Sequence, residues 1–208
     1  MGAVKSAARK PRTKETETSA SSSVNNKQSS VKHQKVVKPQ PHPLSESSRD
    51  LLRQNFEIQH TQIGYRVHMR VFEKRDDYRG YFYTLGKDHW ETMGQLMTDF
   101  LDQVVANIDD YDKVATLAHD FGSRHFDFKA LGFKPDFWQS YADCITIEGC
   151  ILDGAQHSQG DVAEAWSGLV SIILSNARSG YYDRQREQRR STRKKQQLAA
   201  NASVESNS

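Results

Sequence analysis

The sequence of 208 residues predicts an all-α fold of six to eight helices, and three observations support this prediction. Apolar residues recur at spacings of three and four through the middle of the chain, which is typical of amphipathic helices. No stretch alternates between apolar and polar residues over the length of a strand. Both ends of the chain are polar, so one segment, residues 44–183, contains the apolar residues of a single core.

Two basic ends flank this domain, and both are predicted to be disordered. Residues 1–43 carry nine Lys or Arg against two Glu and almost no large apolar side chain. Such a segment buries too little apolar surface to offset the entropy lost on ordering. Residues 184–208 are a second basic segment, expected to fray from the last helix. Because the whole chain has a formal charge of only +3, the domain between them is acidic.

Six helices are predicted in order along the domain. Ser45 is suited to cap the first helix, and the second is expected from about Gln62 to Lys74. Pro135 is placed where a first helical turn tolerates proline, so it opens the fifth helix. The six apolar stripes are, in order, Leu51, Leu52 and Phe56; Ile63, Val67 and Val71; Trp90, Met93, Met97, Phe100, Leu101, Val104 and Ile108; Leu117, Phe121 and His125; Phe137, Tyr141, Ile145 and Leu152; and Val162, Trp166, Leu169 and Ile173.

The sequence argues against a transmembrane protein and against a secreted one. No apolar run approaches the roughly 20 residues that a transmembrane helix needs, and no secretory signal precedes the polar N-terminus. The sequence therefore predicts an intracellular protein. Its two cysteines, Cys144 and Cys150, are six residues apart on one predicted helix and point in different directions. They are expected to be reduced and partly buried.

His125 is the residue that most directly indicates chemistry. It ends the stripe of the fourth helix, after Leu117 and Phe121 at successive steps of four residues, so its imidazole faces the core. A histidine in that position is suited to ligate a metal held between helices. The alternative is a core histidine that is hydrogen-bonded to the backbone.

Several segments in a fixed order resemble the globin family, over roughly residues 44–183. LAHDFGSRHFDFKALGFKPDFW is similar to the globin stretch that contains the proximal histidine, a corner and a helix beginning at proline. Gly64 matches the small residue where the second helix crosses the distal helix, and Trp166 matches an aromatic early in the last helix. The resemblance implies a globin fold around haem b, with His125 as the proximal iron ligand.

The resemblance also implies a set of pocket residues and leaves the distal side open. The implied haem contacts are Phe82, Trp90, Met93, Met97, Phe121, His125 and Phe133. Counting back from His125 places Met93 at the distal position, where its thioether has no hydrogen to donate to a bound gas. His89, four residues earlier, is the alternative distal residue. His68, on the second helix, is the third candidate, as a hydrogen-bond donor or a sixth ligand.

The expected function follows from that site. A haem globin binds oxygen or another diatomic gas at iron, and no catalytic residue is predicted. Ligation by His68 or His89 favours a redox or gas-sensing role with a redox partner, because a sixth ligand competes with oxygen. The alternative is a haem-free, globin-like interaction module at a membrane; the presence of both His125 and Phe82 counts against it.

The N-terminus predicts a lipid anchor. MGAVKS fits the pattern for N-myristoylation at Gly2. One myristoyl chain binds a membrane only marginally, and the basic residues between Lys5 and Lys14 supply the second signal for an anionic surface. No aromatic residues interleave these basic runs, so nucleic acid is not an expected partner. The sequence thus predicts a cytoplasmic protein at the inner face of the plasma membrane.

Overall fold

The computed structural model describes residues 41–57 and 60–205, and helices make up most of both ranges. No strand occurs in these residues. The helices are α1 (Glu46–Glu57), α2 (Ile63–Lys74), α3 (Asp76–Leu85), α4 (Lys87–Ala106), α5 (Tyr111–His125), a 3₁₀ helix (Asp127–Leu131), α6 (Phe137–Leu152) and α7 (Gln159–Glu205). The six helices predicted from the sequence are all present, and the all-α prediction is confirmed. The predicted N-terminal extension, with Gly2, lies outside the described residues up to residue 40.

Local signals explain where the helices begin. The Ser45 side chain accepts a hydrogen bond from the Ser48 amide at 3.1 Å, which is the N-cap expected for α1. Asp110 caps α5 in the same way, through the Lys113 amide at 3.0 Å. Pro135 lies in the turn before α6, whose first residue is Phe137, so the predicted start is two residues early.

Helix α3 is the element that the sequence analysis missed. Asp76 and Asp77 occupy its first turn, where acidic side chains favour the positive end of the helix dipole. Gly86, with φ of 79°, lies between α3 and α4, in a conformation that a residue with a Cβ rarely adopts. The two helices therefore follow each other with a single residue between them.

Close helix crossings set the position of α5, which ends in His125. Helix α5 packs along α7, and α2 crosses both α4 and α6. At the first contact a Cβ on Gly122 would lie 1.8 Å from the Ala177 carbonyl oxygen. Only glycine permits so close an approach of the two backbones. Glu148 of α6 accepts hydrogen bonds from Arg66 and Arg70 and so joins α6 to α2.

The last helix corrects the prediction of a disordered tail from residue 184. Helix α7 continues without interruption to Glu205. The charge of this segment suggested disorder, but residues 184–205 contain no glycine or proline and are rich in Arg, Gln, Lys and Ala, which favour helix. Arg184 and Glu187 form an ion pair one turn apart at 3.5 Å. The side chains of residues 186–201 are exposed.

Two further observations concern the remaining expectations. Cys144 is buried, Cys150 is partly buried, and neither forms a disulfide. Within the described ranges, the helices are all too short or too polar to cross a bilayer.

Candidate functional site

A cavity of about 760 Å³ lies between α4 and α5. Its volume is within the range of pockets that hold cofactors and other small molecules. The apolar part of its wall consists of Met93, Leu96, Phe100, Leu117, Phe121 and Phe128. Two histidines from different helices, His68 of α2 and His125 of α5, also line it.

His125 presents a free nitrogen to this cavity. Only 3% of its surface is exposed, and its Nδ1 donates a hydrogen bond to the Phe121 carbonyl oxygen at 2.8 Å. Because a carbonyl only accepts, the ring proton is on Nδ1 and the lone pair is on Nε2. Nε2 has no hydrogen-bond partner. Burial lowers the pKa of His125 to about 4, so the imidazole is neutral, as a metal ligand must be.

His68 faces the same cavity and is buried even more completely, with 1% of its surface exposed. Its Nδ1 lies 2.6 Å from the Tyr78 hydroxyl, and its Nε2 has no hydrogen-bond partner. Burial, and to a smaller extent the charge of the nearby His125, lower the pKa of His68 to about 3. The backbone of Met93 raises this pKa by a smaller amount. The ring is therefore neutral.

Two tyrosines complete a buried polar cluster behind His68. The hydroxyls of Tyr78 in α3 and Tyr141 in α6 are 2.8 Å apart, and the Tyr141 hydroxyl is 3.4 Å from His68 Nδ1. Burial raises the pKa of both tyrosines, so both hydroxyls keep their protons. From the sequence, Tyr141 was predicted only as part of an apolar stripe, and Tyr78 was not predicted to belong to the site. The signal for both was a hydroxyl group among otherwise apolar core positions.

The crossing of α2 and α4 decides between the two distal candidates on α4. A Cβ on Gly64 would lie 2.1 Å from the Gly94 carbonyl oxygen, so these two glycines mark the crossing. Met93, beside Gly94, is buried and lines the cavity. His89 is exposed near the start of α4 and does not line this cavity, so of the two candidates on α4 Met93 is the one that faces it; the identity of the distal residue stays a prediction.

Among the other sequence-predicted contacts, Phe121 lines the cavity and stacks on Phe100, with ring centroids 4.1 Å apart. Phe133 is buried with its ring 5.1 Å from that of His125, but it lies outside the cavity wall. Met97 is also buried outside this wall, in a narrow gap between α4, α6 and α7. Phe133 and Met97 thus lie behind the wall of this cavity, and the expectation that they contact a haem stays a prediction.

Trp90 and Phe82 form a second layer on the side of His68. The Trp90 ring is 5.2 Å from that of His68 and 4.1 Å from that of Phe82. Phe82 is partly buried and packs edge-on against Phe72. Neither Trp90 nor Phe82 lines this cavity, and the expectation that they contact a haem stays a prediction.

The rim of the cavity is polar. Asp99, Asp120 and Asp127 are exposed carboxylates on it, and Arg124, beside His125, is exposed as well. The sequence analysis did not single out these residues. Asp99, Asp120 and Arg124 lie on the solvent side of the α4 and α5 stripes, and Asp127 begins the 3₁₀ helix that follows α5.

Comparison with known proteins gives consistent matches. The family profile described as Globin matches residues 66–176. The uncharacterized protein B0361.4 of Caenorhabditis elegans is 30% identical over 154 residues, 74% of this chain and 47% of that protein. Globin-related protein glb-13 of C. elegans is 31% identical over 84 residues, 40% of this chain and 29% of its own length. Globin-like protein 9 of Caenorhabditis briggsae is 25% identical over 99 residues, 47% of this chain and 40% of that protein. The chain thus spans less than half the length of these relatives.

Proposed function

Because the chain belongs to the globin family, we propose that it binds haem in the cavity between α4 and α5, with His125 Nε2 as the iron ligand. The proposal extends to oxygen or another diatomic gas as the bound molecule. Haem iron supplies this chemistry, and its behaviour depends on the polarity and the donors of the surrounding pocket.

The observation that carries the proposal is the unpartnered Nε2 of His125. A buried polar atom without a partner is rare in a folded protein, and leaving one unpaired costs about 1–3 kcal/mol. Here the other ring nitrogen is held by the Phe121 carbonyl, which fixes both the tautomer and the ring orientation. Metal-ligating histidines are held in this way through their second nitrogen. The donor set therefore fits an iron ligand.

The apolar wall fits the same role. Met93, Phe100 and Phe121 make the wall of the space in front of His125 apolar, and an apolar, water-poor pocket would slow the oxidation of a ferrous haem. Met93 offers no hydrogen to a bound gas. His68 of α2 is polar, lines the same cavity, and is the candidate for the hydrogen-bond donor that Met93 cannot be. Arg124 on the rim offers a positive charge to the carboxylates of a haem.

Titration with haem tests this proposal. We expect the purified chain to bind haem in a one-to-one complex with a Soret band, and His125→Ala to lose this complex. His89→Ala is the matched control, because it removes an exposed histidine that does not line the cavity. Full haem affinity in His125→Ala would overturn the proposal. No Soret band in the wild-type chain would favour the haem-free interaction module instead.

A further inference from the structure

We propose that Tyr78 and Tyr141 hold His68 in the tautomer that carries its proton on Nε2. His68 then donates a hydrogen bond into the cavity, and it is not a ligand of the iron. The two tyrosines are thus positioning residues, which act on the cavity through His68. This inference rests on the proposed haem site for its consequence, but the tautomer itself depends only on the cluster of three side chains.

The first step is the number of protons in the cluster. His68 is neutral and has one ring proton, and each tyrosine hydroxyl has one. The polar atoms of the three side chains lie within hydrogen-bond distance of one another: 2.6 Å from His68 Nδ1 to Tyr78 Oη, 2.8 Å between the two hydroxyls, and 3.4 Å from Tyr141 Oη to His68 Nδ1. Both hydroxyls are buried, so a hydroxyl hydrogen without an acceptor lowers the stability of the folded protein.

The second step compares the two tautomers. If the ring proton is on Nδ1, that nitrogen has no lone pair and must donate. One tyrosine then donates to the other, and the hydrogen of the second hydroxyl has no acceptor within the cluster. If the ring proton is on Nε2, Tyr141 donates to Tyr78, and Tyr78 donates to the Nδ1 lone pair. Both hydroxyl hydrogens are then satisfied, and the one hydrogen left without an acceptor in the cluster is the N–H at Nε2. His68 lines the cavity, where a bound molecule can accept this hydrogen, whereas neither tyrosine lines it, so a leftover hydroxyl hydrogen would stay unpaired; this difference favours the proton on Nε2.

The two histidines that line the cavity therefore carry their ring protons on different nitrogens. His125 Nδ1 faces a carbonyl and must donate, which leaves a lone pair on Nε2. His68 Nδ1 faces a hydroxyl that donates, which leaves an N–H on Nε2. The first arrangement suits a metal ligand, and the second suits a donor to a bound molecule.

The consequence is a preference among gases. A haem held by His125 would supply the gas-binding chemistry, and a donor at His68 would stabilise oxygen, which takes up negative charge on binding, more than carbon monoxide, which takes up little. Met93 has no hydrogen to donate, whereas His68 lines the same cavity and carries a hydrogen on Nε2. We expect His68 to slow oxygen release and to leave carbon monoxide release nearly unchanged.

Nuclear magnetic resonance reads the tautomer directly. The full chain is labelled with ¹⁵N-histidine, reduced and saturated with carbon monoxide so that any bound haem is diamagnetic, and the His68 signals are assigned by their loss in His68→Leu. We expect an unprotonated Nδ1 and a protonated Nε2. A protonated Nδ1 would overturn the proposal. If the chain binds no haem, the same spectrum still tests the tautomer, while the missing Soret band overturns the proposed function separately.

Gas kinetics test the consequence. His68→Leu should release oxygen roughly 10- to 100-fold faster, the effect of losing one hydrogen bond to a charged group, with less than about threefold change for carbon monoxide. Tyr78→Phe should shift oxygen release in the same direction, because Nδ1 loses its 2.6 Å partner. Tyr81→Phe is the control: this buried tyrosine on the same helix has an unpartnered hydroxyl, so its loss should change neither gas.

The same variants can also contradict the assignment of His68 as a hydrogen-bond donor. If His68 ligates the iron, the unliganded ferrous protein shows the split visible bands of six-coordinate haem, and His68→Leu abolishes them. Equal changes in oxygen and carbon monoxide release in Tyr78→Phe and Tyr81→Phe would indicate a purely structural effect. Either result would overturn the assignment.

Discussion

Acidification of the haem-free protein tests the burial of the two cavity histidines. His68 and His125 have folded-state pKa values of about 3 and about 4, against 6.5 for an exposed histidine. As pH falls below 6.5, these histidines gain protons in the unfolded chain and stay neutral in the folded one. The free energy of unfolding is therefore highest above pH 6.5 and decreases as pH falls toward the folded pKa values.

The magnitude follows from the size of the shifts. At pH 5 each histidine costs about 2 kcal/mol of stability relative to pH 7, so the pair costs about 4 kcal/mol. That is a large part of the roughly 5–15 kcal/mol by which domains are stable. Asp77, with its pKa held at about 2 by hydrogen bonds from Arg75, affects stability only at lower pH.

The assay is urea unfolding at pH 7 and pH 5, followed by far-ultraviolet circular dichroism. We expect a lower midpoint at pH 5 with an unchanged slope, because the surface exposed on unfolding is the same. A variant with both His68 and His125 replaced by leucine should lose most of this pH dependence. Equal stability at the two pH values, or the same pH dependence in the double variant, would refute the reasoning.

Three other predictions follow. In urea unfolding, Gly64→Ala should lower the free energy of unfolding by about 1–3 kcal/mol, because its Cβ would meet the Gly94 carbonyl. Gly80→Ala, which has open space around its Cβ, should instead raise the free energy of unfolding by about 0.5–1 kcal/mol. Removal of residues 184–208 should reduce the helical circular dichroism signal while the thermal midpoint changes little, since this segment is exposed; an unchanged helical signal would contradict the extended α7. Gly2→Ala should move the expressed protein from the membrane to the soluble fraction, and unchanged fractionation would contradict the predicted lipid anchor.

The proximal side of the site was predictable because it depends on one helix. A stripe at steps of four placed Phe121 and His125 on the buried face of α5, and the spacing of helix residues leaves little freedom there. The hydrogen bond from His125 to the Phe121 carbonyl follows from the same spacing. Local periodicity was thus sufficient to predict that His125 faces the interior, where it lines the cavity.

The distal side was not predictable because it depends on contacts between helices. Whether Met93 or His89 faces the cavity is set by the crossing of α2 and α4 at Gly64, which no single helix determines. The tyrosine cluster needs α3, whose short sequence has only a weak apolar stripe, and residues 78 and 141 are far apart in the chain. The helical C-terminal segment was missed because its charge was weighed above its helix propensity.

Replacement of the proximal ligand is the most direct test of the central claim. His125→Gly removes the imidazole and leaves space for a free one, so haem binding should fail in its absence and return, with the wild-type Soret band, when imidazole is added. His119→Gly on the same helix, whose imidazole is paired with Asp183 away from the cavity, should show no imidazole dependence. Wild-type haem affinity and spectrum in His125→Gly without imidazole would contradict the account.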